Sequence, residues 1–175
     1  LYPVRDMLKR EVTFLPPFYL QKASNNLWFG VFASLAALKI KHGISSRLGG
    51  VSEPPFSSLN LGLHTGDQPA KVLANRRLFC AAVGVDAQKV VTAQQVHKDN
   101  IAVVTLADAG RGAEDYRAAV PETDALITNC PDLPLMLFFA DCVPVLIADP
   151  VNRAIGISHA GWKGTVARIA GKTVA

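Results

Sequence analysis

Three residues combine reactive side chains with a suggestive setting. His97, Cys142 and His159 each lie beside a strand-like stretch punctuated by Gly or Pro, rather than on an apolar face. One thiolate and two imidazoles suit zinc, and three protein ligands leave a fourth position for water or substrate. A hairpin argument links two of them. Asp149-Pro150-Val151-Asn152 reads as a turn between strands over 143–148 and 154–158. If Asp149 pairs with Ala154, Pro144 falls opposite His159 and Cys142 opposite Gly161. Cys142 and His159 then share a face as diagonal neighbours, Cα atoms roughly 7–8 Å apart, a span one metal ion can bridge. An odd loop length would reverse this parity, and Pro144, which has no N–H, marks an edge strand or a bulge. Spacing does not place His97. The same proximity also serves a metal-free Cys142 nucleophile with His159 as its base, or simply a packed cysteine beside hydrogen-bonded histidines.

Arg47 precedes Leu48-Gly49-Gly50, where a guanidinium beside a closely approachable backbone suits phosphate or carboxylate. His42 and His64 have no convergent partner, and His64 is near enough to Asp67 to bond a carboxylate. Cys80 falls on the apolar stripe of a helix and reads as a buried small hydrophobe.

These residues need elements to position them. A helix capped by Asp67 is expected through Gly84, with Val72, Leu73, Arg76, Phe79, Cys80 and Val83 at helical spacing. Strands are expected at 90–92, 101–106, 124–128 and 135–140, with a polar loop at 107–121 and a helix N-capped by Thr165 near the end of the sequence. Residues 1–26 read as a leader of short strands or a terminal arm. Residues 40–64 read as a long ordered loop of the kind that carries function.

The 175 residues are 50% hydrophobic and 18% charged, with a net charge of +4. That profile excludes a disordered chain and fits one domain over 1–175. No Lys/Arg-rich run marks a nucleic-acid groove, while a mildly basic balance suits an anionic small substrate. The apolar stretch 27–38 is too short to span a membrane, and 133–148 contains Asp141, Pro134 and Pro144. Three cysteines at no metal-knuckle spacing point to a reducing, cytoplasmic compartment rather than a disulfide framework.

Several ordered motifs together resemble the laccase-domain family, also called YfiH-type and often labelled polyphenol oxidase, whose characterised members are zinc-dependent purine nucleoside phosphorylases. They are Ser46-Arg47-Leu48-Gly49-Gly50-Val51-Ser52, Pro54-Pro55-Phe56, Ser58-Leu59-Asn60-Leu61-Gly62, His64 with Gly66-Asp67, Asn75-Arg76 and Gln95-Val96-His97. Thr123-Asp124-Ala125, Ala140-Asp141-Cys142-Val143-Pro144 and His159-Ala160-Gly161-Trp162-Lys163-Gly164 continue the series. The resemblance runs from about His42 to the end. It implies an α+β fold of mixed, largely antiparallel sheets with packed helices, and zinc on His97, Cys142 and His159. It also implies phosphorolysis of adenosine, inosine or methylthioadenosine, with adenosine deamination as a side activity, by a monomer or homodimer with no membrane or nucleic-acid partner. By the same likeness Cys142 and Arg47 are catalytic, and Arg47, Asn60 and His64 bind substrate; Asp141 alternates away from Cys142 in a strand, so a supporting or structural duty is expected of it. Lys98 departs from the family's usual glycine. Relatives continue past the tryptophan motif, so the expectation is a C-terminally shortened domain, with a non-catalytic scaffold as one alternative. A multicopper oxidase needs many imidazoles, often in His-x-His pairs, and four histidines with no such pair do not supply them.

Overall fold

A computed structural model describes residues 16–175; the first part of the expected leader lies outside them. The fold is mixed α+β. β1 (Phe18–Lys22) and β2 (Trp28–Phe32) form an antiparallel pair extended by β3 (Ile44–Ser45). The apolar stretch 27–38 divides between β2 and the short helix α1 (Ala33–Ala37). No helix among the described residues is long and apolar enough to cross a membrane.

Helix α2 (Pro69–Val83) buries Val72, Arg76, Phe79 and Cys80 of the expected stripe, leaves Leu73 and Val83 half-buried, and buries Asn75 besides. It starts one position later than expected. Gln68 is the N-cap, because the Asp67 carboxylate is taken by Gln68 N–H, Ser52 Oγ and Asn60 Nδ2. Gly84 ends it in the left-handed conformation at φ 79°, where a side chain would be strained.

β4 (Val91–Thr92) pairs in parallel with β7 (Leu135–Met136). The strand expected over 135–140 stops at Met136. Beyond it the Gln95 side chain replaces a ladder, its Nε2 donating to Phe138 O and its Oε1 accepting from Phe138 N–H, both at 2.8 Å. A second sheet runs β5 (Ile101–Val103), β6 (Ala125–Thr128), β9 (Ala154–Ala160), β8 (Val143–Asp149), parallel between β5 and β6 and antiparallel elsewhere. The strand expected to reach residue 106 ends at Val103, and residues 106–108 form a 3-10 turn instead.

The β8–β9 hairpin has the register derived above: Asp149 opposes Ala154 and Pro144 opposes His159. His159 N–H donates to Asp124 O in the preceding strand segment, so its backbone faces away from β8. Pro144 therefore points its missing donor outward, on the side of β8 that has no strand partner among the described residues. The proline stands at an edge and needs no bulge.

One face of this sheet is covered by α4 (Ile169–Val174), where Ser158 Oγ and Thr173 Oγ1 lie 2.8 Å apart. Ahead of it, α3 (Trp162–Val166) begins at Gly161, earlier than the Thr165 cap expected from sequence; Thr165 Oγ1 instead reaches Ala160 O. On the opposite face Val91, Leu126 and Leu137 belong to one apolar core, and α2 packs a second one with Phe29, Val31 and Val90.

Candidate metal centre and its cleft

Strand parity puts Cys142, Pro144 and His159 on the sheet face opposite α4. His97 arrives from the segment after β4. One ligand atom each from His97, Cys142 and His159 lies within 4.8 Å of the others. A tetrahedral ion with bonds of about 2.0–2.3 Å separates its ligand atoms by roughly 3.5 Å, so the set must draw in by about an ångström to close on a metal. One thiolate and two imidazoles are a donor set that could hold a metal ion. Gly161 guards this space: a Cβ there would lie 3.0 Å from Cys142 Sγ and 3.4 Å from His97 Cδ2.

Asp124, just ahead of β6, organises both histidines, and the sequence marks it only through the Thr123-Asp124-Ala125 motif. Its carboxylate is fully buried. It accepts backbone bonds from Val96, His97 and Lys98 at 3.2, 3.0 and 2.9 Å, and a 2.8 Å bond from His159 Nδ1. Three consecutive N–H groups converging on one carboxylate form an anion nest, and His97 within it has φ 58°. Because the carboxylate accepts, His159 Nδ1 carries the proton and Nε2 keeps its lone pair for a metal. The signal available in sequence was an acidic residue between Thr123 and a strand of apolar residues.

The loop of residues 46–64 forms another wall of the hollow that holds the three ligands. Buried Asn75 on α2 ties it down: Oδ1 accepts from Val51 N–H, and Nδ2 lies within bonding distance of Ser52 Oγ, Ser58 O and Asn60 O. Arg47 lines the hollow but spends Nε and Nη2 on Ser57 O, leaving Nη1 without a partner among the described residues. Asn60 lines it too, with its amide engaged by Thr65, Asp67 and Gly62. His64 packs 5.3 Å from the Tyr116 ring and 5.6 Å from Phe138, and burial, aided by the Arg76 charge, pushes its pKa down. Asp141, the supporting residue of the sequence reading, is exposed. His42 is structural, its Nε2 accepting from Phe32 N–H and its Nδ1 bonded to Ile40 O.

All three cysteines are free. Cys80 is buried as expected, and desolvation raises its pKa to about 11.

A family model described as multi-copper polyphenol oxidoreductase laccase matches residues 41–175. Among curated proteins, purine nucleoside phosphorylase YlmD of Geobacillus stearothermophilus is 40% identical over 162 residues, which are 91% of this chain and 57% of that protein. Purine nucleoside phosphorylase YlmD of Bacillus subtilis is 45% identical over 127 residues, 73% of this chain and 46% of its own length. Among solved structures, the Bacillus licheniformis hypothetical protein YfiH superposes with a TM-score of 0.84 at 41% identity, covering 91% of this chain and 58% of that one. The chain spans about half the length of the curated relatives it matches.

Proposed function

Since the chain belongs to the family described as multi-copper polyphenol oxidoreductase laccase, we propose that it uses the His97–Cys142–His159 centre, loaded with a single zinc, to cleave purine nucleosides with phosphate. The products are the free base and ribose 1-phosphate, from adenosine, inosine or methylthioadenosine, with hydrolytic deamination of adenosine as a side activity. The observation that carries this reading is the convergence of the three ligand atoms in a chain whose relatives bear the name purine nucleoside phosphorylase. The family description's several coppers find little support: four histidines with no His-x-His pair are too few for a multicopper set.

His97, Cys142 and His159 would hold the ion, and Asp124 aims His159 at it. Zinc held there would supply a Lewis acid. Arg47 offers its Nη1 to phosphate, its other donors fixing the guanidinium on Ser57 O. Asn60 shapes the loop that presents Arg47 and His64 to the cleft. Three free thiols support a cytoplasmic location.

The test is phosphate-dependent release of hypoxanthine from inosine by purified protein, compared with Cys142→Ala and His97→Ala. Activity confined to the parent supports the reading, and equal activity in all three sinks it. A second reading has one observation of its own: Asp124, His159 and Cys142 line up as orienting acid, base and nucleophile, the order of a cysteine hydrolase. Metal analysis separates the two, because stoichiometric zinc contradicts a free Cys142 nucleophile.

A further inference from the structure

We propose that the Phe138 ring, packed on Arg76, stacks the nucleobase and that the tilted His64 ring meets its edge. This inference rests on the purine nucleoside reading and names where the base sits within it. Phe138 lies outside any strand, yet the Gln95 amide grips both its N–H and its C=O. That clamp gives an irregular segment the rigidity of a ladder position. Its ring packs over the Arg76 guanidinium, Cζ 4.8 Å from the centroid. On another side lies His64, which itself leans on Tyr116. The next residue, Phe139, places its ring 5.4 Å from the His159 ring. Consecutive residues thus link an aromatic wall to the ligand centre, and both line the same hollow.

Arg76 gives the wall its preference. It is 4% exposed, donates from Nε to Leu61 O and from Nη1 to Gly112 O and Ala113 O, and leaves Nη2 without a partner among the described residues. No carboxylate pairs with it there. A buried cation compensated only by neutral carbonyls favours electron-rich groups nearby. Arg76 lies beneath Phe138 rather than on the lining of the hollow, so it acts on a bound base through that ring, as a field that favours an electron-rich purine over a cationic ligand. His64, held neutral by burial and the Arg76 charge, offers one donor and one acceptor to the base edge. With the base on this wall, the ribose is directed toward His97, Cys142 and His159.

Equilibrium binding of free hypoxanthine to the full chain, followed by calorimetry, tests the subsite. Stacking on an aromatic side chain is worth a large factor, so Phe138→Leu is expected to weaken binding roughly tenfold, Phe138→Trp to restore it, and His64→Leu to weaken it independently. Metal content should stay at the parent level in all three. Unchanged hypoxanthine affinity in Phe138→Leu and His64→Leu, or no binding by the parent, overturns the proposal. Should Phe138→Leu fail to fold, His64→Leu alone decides. The two readings separate cleanly: a parent that binds hypoxanthine through Phe138 but releases none from inosine refutes phosphorolysis and keeps the subsite, whereas active parent protein with indifferent Phe138 and His64 variants refutes the subsite alone.

Discussion

His159 and Asp124 share a 2.8 Å bond in which the imidazole is 3% exposed and the carboxylate not at all. The same oxygen accepts from His97 N–H. One acidic group therefore sets the ring direction of one candidate ligand and the backbone of another before any ion arrives. An asparagine cannot replace it, since its amide N–H2 would confront backbone donors. Asp124→Asn is expected to weaken zinc binding 10–100-fold, on the order seen when such outer partners are lost, and to cost roughly 3 kcal/mol of stability. Chelator competition and urea unfolding measure the two effects, and parental zinc affinity would refute the positioning role.

Gly161→Ala should separate metal binding from folding. Its φ of −69° and ψ of 171° accept alanine, but the new methyl would press on Cys142 Sγ and the His97 ring. The expected result is a melting temperature near the parent's with zinc stoichiometry reduced. Full zinc loading would show that the centre yields more easily than its packing implies.

Asn75→Ala removes the bonds that hold the long loop to α2. Leaving Val51 N–H and several loop oxygens without that partner is expected to cost roughly 3 kcal/mol. Proteolysis within residues 46–62 should quicken before global unfolding does, and a parental cleavage rate would contradict the anchoring role.

Acid should loosen the same loop. Ser52, then Asn60 and Gln68, hold the Asp67 pKa below its ordinary 3.8. A carboxyl lowered on folding stabilises above its unfolded pKa, and that contribution disappears as pH falls through the folded value, below about 4. His64, also lowered, adds to this at milder pH: the unfolded histidine takes up a proton near 6.5 while the folded one resists, so stability declines as pH drops from 6.5 toward the folded pKa. Replacing His64 by Gln should flatten the melting-temperature profile in that upper window and leave the lower one intact.

Thiol labelling at pH 8 should distinguish the cysteines. Cys80, buried and pushed up to about 11, is expected to react only on unfolding. Cys142 is half-buried and should be labelled in zinc-stripped protein and protected when zinc is restored. Protection of neither state would count against Cys142 as a ligand.

The hairpin was legible because parity is local: an even loop between Asp149 and Ala154 fixes which residues share a face. The meeting of Cys142 with His159 followed from that alone. His97 was not placeable by the same means, because its position depends on backbone donors converging on a carboxylate 27 residues away in the chain. Asp124 stayed inconspicuous for the same reason. The strand expected through residue 140 ended early since an amide side chain, Gln95, can satisfy Phe138 without a neighbouring strand, and no periodicity records that. Arg47 was noticed for its glycines, but its commitment to Ser57 became visible only once the loop had folded back on itself.

Among the described residues β8 is the last strand of its sheet, which has one further consequence. Backbone groups alternate in direction, so Pro144, Leu146 and Ala148 turn their nitrogens outward, and the first carries no hydrogen. An incoming strand can zip onto the hairpin's turn end, where two amides wait, but finds no donor at the level of His159. The proline thus works like a doorstop: a strand laid against the described part of β8 would find its ladder broken on the side toward Cys142.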